Sequence, residues 1–317
     1  MNHTTPRSIV FHSYKGGTGK TTIAANVAAL LVKRGARVLL LDLDIYAPSL
    51  HSYFEIEPKK WINDFLLDAA EASDIMLDLT STVTETIASG STPSGGKLWV
   101  GFSNPSKEEV YKMEGGKQEK VQLLRKFIAL REQLFSKFDA DFLIIDTSPG
   151  IRYWSINALA VADILYLTLK AGDLDVAGTK KMAADIYSAF SKFGAKPYLI
   201  LNKVAGYCVP HTLLAIQTAA GSGAIVDNQT GIEGSGNLSN KSNAMLEQRH
   251  GSLIQQDQDS ASKLSKDVGI DVAMALPCFC DIQFSKKEYL TVLHDPGHPF
   301  SKMIEDLAQQ SQATGGK

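Results

Sequence analysis

The sequence predicts an α/β fold, a doubly wound, mainly parallel sheet flanked by helices. Seven short apolar runs, rich in Val, Ile and Leu and bounded by Gly, Pro or Asp, are typical of strands buried on both faces. Segments with helical periodicity separate several of these runs, as crossover connections between parallel strands require. Because 44% of the 317 residues are hydrophobic, the chain can bury one large core. We therefore expect a single domain over 1–317.

Each element follows from its own local pattern. Helices are predicted over Thr21–Arg34 and Gly178–Phe193, each followed by a glycine, and over Gln118–Phe138. The buried stripe of the last helix is predicted to consist of Val121, Leu124, Ile128, Leu134, Phe135 and Phe138. The predicted strands are Ser8–His12, Arg37–Asp42, Leu98–Phe102, Phe142–Asp146, Ile164–Leu169, Tyr198–Leu201 and Val272–Leu276. Ligands of such sheets bind at the carboxyl ends of the strands.

Composition excludes several classes of protein. The formal net charge is −2, with 32 basic and 34 acidic side chains, so no overall field would attract a polyanion. No apolar stretch approaches the roughly 18 residues that span a bilayer, and we recognise no signal peptide. Three cysteines are too few for a disulfide framework, as is usual in a reducing compartment. We expect a cytoplasmic protein.

One long segment interrupts the α/β pattern. From 205 to 262 the sequence turns polar and rich in Gly, Ser, Gln and Asn, and it is far longer than the usual connection of about 4–6 residues. We interpret it as an insertion. It is either a mobile loop or a partner-binding element around Leu213, Leu214 and Ile216.

The string KGGTGKTT, residues 15–22, comes directly after a predicted strand and before a predicted helix. This is the context that a phosphate-binding P-loop (Walker A motif) requires. Glycines let the backbone turn its amides toward the phosphates, and the N-terminus of the following helix adds a partial positive charge. The lysine contacts the phosphates, and the threonine hydroxyl binds Mg²⁺. The predicted contacts to ATP lie at Gly16, Gly17, Thr18, Gly19, Lys20, Thr21 and Thr22, with Thr21 also a Mg²⁺ ligand.

The extra lysine at the front of the loop, Lys15, makes the string resemble the deviant Walker A motif of the ParA, MinD, ArsA and Mrp ATPases. The resemblance implies a homodimer with ATP sandwiched at its interface. It also implies that Lys15 reaches across to the phosphates of the partner subunit, as an arginine finger does. The alternative is a solvated lysine at the entrance of an ordinary loop.

Three carboxylates follow predicted strands. Asp42 and Asp44 end one strand two residues apart, so they point to the same side, and Asp146 ends a Walker B strand, where it can hold Mg²⁺ through water. The resemblance implies that Asp44 orients the attacking water and that Asp42 lies near the metal; a strand-end cap is the alternative for Asp42. Pro149 and Gly150 form a turn that senses the γ-phosphate in this interpretation.

Two weaker signals concern the base and the cysteines. Asn202 and Lys203 resemble the Asn-Lys element that the family places beside adenine, and Pro277 resembles the proline on the other side of the base. The stretch 44–49, DIYAPS, resembles Mrp-type iron–sulfur carriers. However, Cys278 and Cys280 are spaced C-x-C rather than C-x-x-C, so they are either metal ligands at a dimer interface or two small residues at the edge of the core.

The sequence offers little support for membrane or DNA binding. Residues 299–313 form an amphipathic pattern with one basic residue on the polar face, which favours packing on the body over a membrane anchor. Lysine pairs such as 59–60, 180–181 and 286–287 bind DNA only if the fold gathers them, and are otherwise solvated.

We expect slow, dimer-dependent hydrolysis of ATP to ADP and phosphate, in which Lys15, Lys20 and Asp44 are the catalytic residues. The favoured role is a ParA/MinD-like switch in partitioning or positioning DNA, cargo or a protein complex, in some cases with a protein activator. The alternatives are an iron–sulfur or metal carrier and a metabolic enzyme that uses ATP on a second substrate.

Overall fold

The computed structural model describes residues 5–86, 95–113, 117–170, 172–187, 191, 194–204 and 262–313. Its sheet has eight strands. The strands are β1 (Arg7–His12), β2 (Arg37–Leu43), β3 (Met76–Asp78), β4 (Lys97–Gly101), β5 (Phe142–Thr147), β6 (Ile164–Leu169), β7 (Lys196–Val204) and β8 (Asp271–Pro277). All seven predicted strands are confirmed, because a continuous apolar run suits a strand covered on both faces.

The strand order is β3-β4-β2-β5-β1-β6-β7-β8, and every neighbouring pair is parallel except β3 with β4. The predicted doubly wound, mainly parallel fold is confirmed. In the register of the central strands, Phe11 of β1 lies opposite Asp146 of β5, which lies opposite Asp42 of β2. The sheet therefore brings the end of β1 and two carboxylates to one edge.

Helices cover both faces of the sheet. They are α1 (Lys20–Lys33), α2 (His51–Phe54), α3 (Ile62–Leu66), α4 (Thr80–Thr86), α5 (Lys107–Met113), α6 (Lys117–Phe138), α7 (Tyr153–Leu159), α8 (Asp173–Met182), α9 (262–268), α10 (Cys280–Gln283), α11 (Thr291–His294) and α12 (Pro299–Ala313). A π-helix, Ala183–Tyr187, continues α8. One core packs α1 and α12 on the sheet, and the opposite core packs α6, α7 and the π-helix.

The structure differs from the sequence prediction at three places. Strand β3 was not predicted, because an edge strand of three residues shows no periodicity. Helix α8 begins at Asp173 rather than at Gly178. In α6, Ile128 is exposed while Phe127 and Leu130 are buried, so the predicted stripe was wrong at that turn. The insertion predicted at 205–262, with its three apolar residues, lies outside the described residues except for residue 262.

The amphipathic segment 299–313 is helix α12, and it packs on the body as predicted. Phe300, Ile304 and Leu307 are buried against α1 and its neighbours. At its end, the Ser311 hydroxyl lies 2.9 Å from the Tyr166 hydroxyl of β6. Within the part of the chain that the structure describes, no helix has the length and apolar character needed to cross a bilayer.

Shortening a side chain at the centre of the contact between α12 and the rest of the protein is expected to destabilise the fold. Ile304 is fully buried, and Ile304→Ala should lower the free energy of unfolding by about 2–5 kcal/mol, because it removes apolar contacts and leaves a cavity. The exposed neighbour Lys302 is the control, and Lys302→Ala should stay within about 0.5 kcal/mol of the parent. Urea unfolding measures both; equal midpoints for the two variants would contradict the packing of α12.

Candidate functional site

A cavity of about 540 Å³ lies at the carboxyl edge of the sheet, where the loop after β1 meets the segments that follow β2, β5, β7 and β8. Its walls include most of the predicted site residues, namely Gly16, Gly17, Gly19, Lys20, Thr21, Thr22, Asp44, Asn202, Lys203 and Pro277. Lys15, Thr18, Asp42 and Asp146 are not part of the walls. The structure thus gathers the predicted residues, from Gly16 to Pro277, into one pocket.

The P-loop depends on two glycines with positive φ. Gly17 and Gly19 have φ of 71° and 89°, in the region where a β-carbon is strained. At Gly19 the space is also closed, since a β-carbon would lie 2.2 Å from Nδ2 of Asn202. That amide donates a hydrogen bond to the Thr18 carbonyl at 2.7 Å. Asn202 of β7, two strands away from β1, therefore helps to fix the loop.

Thr18 contacts the fold rather than the cavity. Its hydroxyl lies 2.8 Å from the hydroxyl of Thr168 in β6, and the residue is almost fully buried. Thr22, by contrast, faces the cavity and accepts a hydrogen bond from the hydroxyl of Tyr53 at 2.9 Å. Only the backbone of Thr18 is thus placed to meet a phosphate, a distinction that the sequence string does not show.

Lys20 begins helix α1 and is only 6% exposed, although it lines the cavity. Burial, followed by the charge of Lys20, lowers the pKa of His12 to about 3, so this ring is neutral beneath the loop. A buried cation at the positive end of a helix needs an anion nearby. The site therefore suits a ligand with several negative charges.

Thr21 and Asp146 form the candidate metal centre. The Thr21 hydroxyl donates to Oδ2 of Asp146 at 2.5 Å, while Oδ1 of Asp146 is buried without a hydrogen-bond partner among the described residues. Burial raises the pKa of Asp146 to about 6, although the charge of Lys20 opposes the shift. A hard cation would satisfy the unpartnered oxygen and stabilise the carboxylate, so these residues fit Mg²⁺.

Asp42 has a different position from the other two carboxylates. It is fully buried, and its oxygens accept the backbone amides of Asp44 at 3.0 Å and Leu50 at 3.1 Å. Burial and then the neighbouring Asp146 raise the pKa of Asp42 well above its usual range. This arrangement favours the strand-end cap, and direct contact of Asp42 with a metal stays a prediction.

Asp44 faces the cavity, as predicted from the strand end. Its Oδ1 accepts hydrogen bonds from the Ser148 hydroxyl at 2.8 Å and from the Ala47 amide at 3.2 Å. Ser148 precedes Pro149 in the turn after β5, and both line the cavity. The sequence analysis did not select Ser148, although its place between the Walker B aspartate and the proline was a usable signal.

The end of the cavity at β7 and β8 holds Asn202, Lys203 and Pro277, the predicted base-binding residues. Lys203 has a left-handed backbone, with φ of 59°, and its Nζ lies 3.2 Å from the Gly17 carbonyl. Burial, followed by the charge of Lys170, lowers the pKa of Lys203. Pro277 lines this end together with residues that the sequence analysis missed, namely Phe279, Ile282 and Gln283.

The C-x-C string directly follows strand β8. Sγ of Cys278 donates to Oε1 of Gln283 at 3.9 Å. The described residues contain no group of three or more His, Cys, Asp or Glu that could hold a metal ion. A metal bound by Cys278 and Cys280 stays a prediction.

Lys15 lies outside the cavity. Its Nζ is 3.9 Å from Oδ1 of Asp175 in α8, and the Lys15 side chain is 40% exposed. The preceding Tyr14 packs on the same helix, where a β-carbon at Gly178 would lie 2.0 Å from the ring. The front of the P-loop is thus held against α8, with the Lys15 ammonium at the surface.

Comparison with known proteins agrees with this geometry. A family model described as an AAA domain matches residues 6–195, more than half of the chain. An uncharacterized ATP-binding protein of Methanocaldococcus jannaschii is 27% identical over 219 residues, which cover 67% of this chain and 69% of that protein. The sporulation initiation inhibitor protein Soj of Bacillus subtilis is 27% identical over 165 residues, 51% of this chain and 57% of Soj.

A third relative is the cytosolic Fe-S cluster assembly factor Nubp2 homolog of Drosophila melanogaster, 25% identical over 222 residues, 68% of this chain and 75% of that protein. Among solved structures, the Pyrococcus furiosus cell division ATPase MinD has a TM-score of 0.64 and 18% identity, covering 98% of this chain and 100% of MinD. MinD of Pyrococcus horikoshii, complexed with Mg-ADP, has a TM-score of 0.62 and 16% identity, covering 98% of each chain.

The structural similarities establish the fold, and the matches in sequence establish the family. The matched range 6–195 contains the complete P-loop, both strand-end aspartates of β2 and the Walker B strand β5. The chain therefore belongs to the AAA domain family and is a P-loop ATPase of the ParA/MinD type.

Proposed function

We propose that this protein binds Mg-ATP, hydrolyses it slowly, and uses ATP to drive dimerisation, as a switch in partitioning or positioning DNA, cargo or a protein complex. The observation that carries the proposal is the contrast between the two P-loop lysines. Lys20 is buried in the cavity wall, whereas Lys15 is outside it at the surface. A second subunit would give Lys15 the anionic partner that its own cavity does not supply.

The surface around Lys15 supports a protein contact. Three large apolar side chains are exposed there: Tyr14 at 37%, Ile151 at 61% and Leu174 at 74%. Tyr14 adjoins Lys15, Leu174 adjoins its ion-pair partner Asp175, and the turn before Ile151 is tied to the loop by the Gly150 amide, 2.8 Å from the Ser13 carbonyl. Exposed apolar side chains that lie close together are typical of a surface that becomes buried on association.

The cavity supplies the remaining chemistry. Lys20 and the loop amides would bind the phosphates, and Thr21 and Asp146 would hold Mg²⁺, which neutralises phosphate charge. Asp44 lines the cavity beside Ser148 and would orient the attacking water, since its carboxylate is held by two hydrogen bonds. Phosphoryl transfer of this kind requires positioning and charge, and no covalent intermediate on the protein.

The proposal also concerns what this protein binds (DNA, a membrane or another protein) and where in the cell it acts. Two of the lysines considered for DNA binding have acidic partners, since Lys180 pairs with Asp267 and Lys287 with Glu55. Burial of the apolar face of α12 argues against that helix as a membrane anchor. We therefore favour another protein as the platform or activator, and a cytoplasmic location stays a prediction.

The iron–sulfur carrier is the second candidate, because a relative bears the name of an Fe-S cluster assembly factor. It predicts metal that copurifies with the protein and is lost when Cys278 and Cys280 are replaced. The C-x-C spacing of Cys278 and Cys280, in place of C-x-x-C, favours the switch. The metabolic-enzyme alternative predicts consumption of a second substrate.

Lys15 should couple ATP to dimerisation. Lys15→Ala is expected to bind ATP with at most a few-fold loss, because Lys20, Thr21 and the loop amides remain, yet to lose the ATP-dependent dimer and most hydrolysis. The control is Lys181→Ala, an exposed lysine further along α8. Analytical ultracentrifugation with a non-hydrolysable ATP analogue measures the dimer. Equal dimer fractions in parent and Lys15→Ala would make Lys15 a solvated loop lysine.

Asp44→Ala should separate binding from hydrolysis. We expect nearly unchanged ATP affinity, because the phosphate-binding loop is intact, and a loss of turnover of about a hundredfold or more, because the attacking water is no longer oriented. Single-turnover hydrolysis and equilibrium ATP binding provide the two readouts. Parental turnover in this variant would show that Asp44 has only a structural role.

The raised pKa of Asp146 predicts a pH-dependent metal site. A proton and Mg²⁺ compete for the same carboxylate, so Mg²⁺ affinity should fall by about tenfold per pH unit as the pH drops below about 6 and be level above it. Asp146→Asn should bind Mg²⁺ weakly with little dependence on pH. Mg²⁺ titrations of the nucleotide-bound protein, from acidic to neutral pH, measure this affinity. If the Mg²⁺ affinity of the unmodified protein does not change with pH, the prediction is refuted.

A further inference from the structure

The loop 44–50 is folded back onto the P-loop by Asp42. Because one carboxylate accepts the amides at both ends of this loop, Asp44 at 3.0 Å and Leu50 at 3.1 Å, the chain between them must close into a compact turn. The turn places the Ser49 hydroxyl 3.3 Å from the Thr21 hydroxyl. Ser49 also lines the cavity, so its side chain is open to a ligand bound there.

We propose that Ser49 is a further Mg²⁺ ligand, coordinated beside Thr21 when nucleotide and metal are bound. This inference rests on the proposed binding of Mg-ATP. Adjacent ligands of an octahedral Mg²⁺ ion, each about 2.0–2.1 Å from the metal, are about 3 Å apart. The two hydroxyl oxygens already have nearly that separation, so only a small adjustment is needed for both to contact one ion.

The chemistry of the donor atoms fits the same ion. Thr21 donates to Asp146, whose second oxygen has no partner among the described residues, and Ser49 contacts the same Thr21 hydroxyl, so Thr21 joins two further oxygen-bearing side chains. Mg²⁺ prefers oxygen ligands and few of them from protein. Asp42 is a poor third ligand, because both of its oxygens already accept backbone amides.

A metal contact at Ser49 would also act on the catalytic aspartate. Ser49 and Asp44 lie on one short turn whose two ends are bound to Asp42. Fixing Ser49 on the metal would therefore restrict the position of Asp44, which faces the same cavity. Binding of Mg-nucleotide at Ser49 would thus change the position of Asp44 within the same subunit.

The test is a change of metal preference in Ser49→Cys. A thiolate favours a soft cation over Mg²⁺, so this variant should require about tenfold or more Mg²⁺ to bind a fluorescent ATP analogue, and should gain affinity for Cd²⁺ with a cadmium–thiolate absorption band. Ser49→Ala should lose Mg²⁺ affinity without the gain for Cd²⁺, and both should keep the metal-free affinity for nucleotide. Metal affinity usually falls by about 10–100-fold when a residue that supports a metal site is replaced.

Ser52→Cys is the matched control, because Ser52 lines the same cavity and no hydrogen bond places it at Thr21. Each variant retains the natural cysteines, so their contribution is common to all. If Ser49→Cys and Ser52→Cys have the same ratio of Mg²⁺ to Cd²⁺ affinity as the parent while nucleotide still binds, Ser49 is not a ligand and the proposed function is unaffected. If the parent binds no nucleotide with either metal, the proposed function fails and this inference fails with it.

Discussion

The site depends on one electrostatic constraint, which is that Lys20 and Asp146 are both buried at the same edge of the sheet. Each is almost inaccessible to water, and a buried charge is costly unless an opposite charge or hydrogen bonds compensate it. Burial raises the pKa values of Asp42 and Asp146, and the nearby Asp44 carboxylate raises both further. The protein alone leaves this balance incomplete, and an anionic ligand with a divalent cation, as proposed above, would complete it.

Most of the fold could be predicted because parallel strands buried on both faces leave a strong local signal. Where the prediction failed, the deciding contacts were tertiary. Ile128 fits the helical period of α6, but the helix presents Phe127 and Leu130 to the sheet instead. Strand β3 exists only because β4 provides an antiparallel partner, which no local pattern in three residues can indicate.

The candidate site also has one part that could be predicted from the sequence and one part that could not. The P-loop was predictable because three glycines, a lysine and a threonine lie within residues 16–21, between a strand and a helix. The hydroxyls that surround it were not, since Ser49, Tyr53 and Ser148 reach Thr21, Thr22 and Asp44 only through the folding of distant segments. Likewise, the string alone could not show that Thr18 turns toward β6 while Thr22 turns toward the cavity.

The strand order has a consequence for synthesis. Strand β1 carries the P-loop, yet its two neighbours are β5 and β6, which end at Thr147 and Leu169. While the ribosome is making the segment before β5, β1 has neither of its native neighbours, although β2, β3 and β4 can already pair with one another. The nucleotide site can form only after more than half of the chain has been made, so ATP cannot assist the earlier steps of folding.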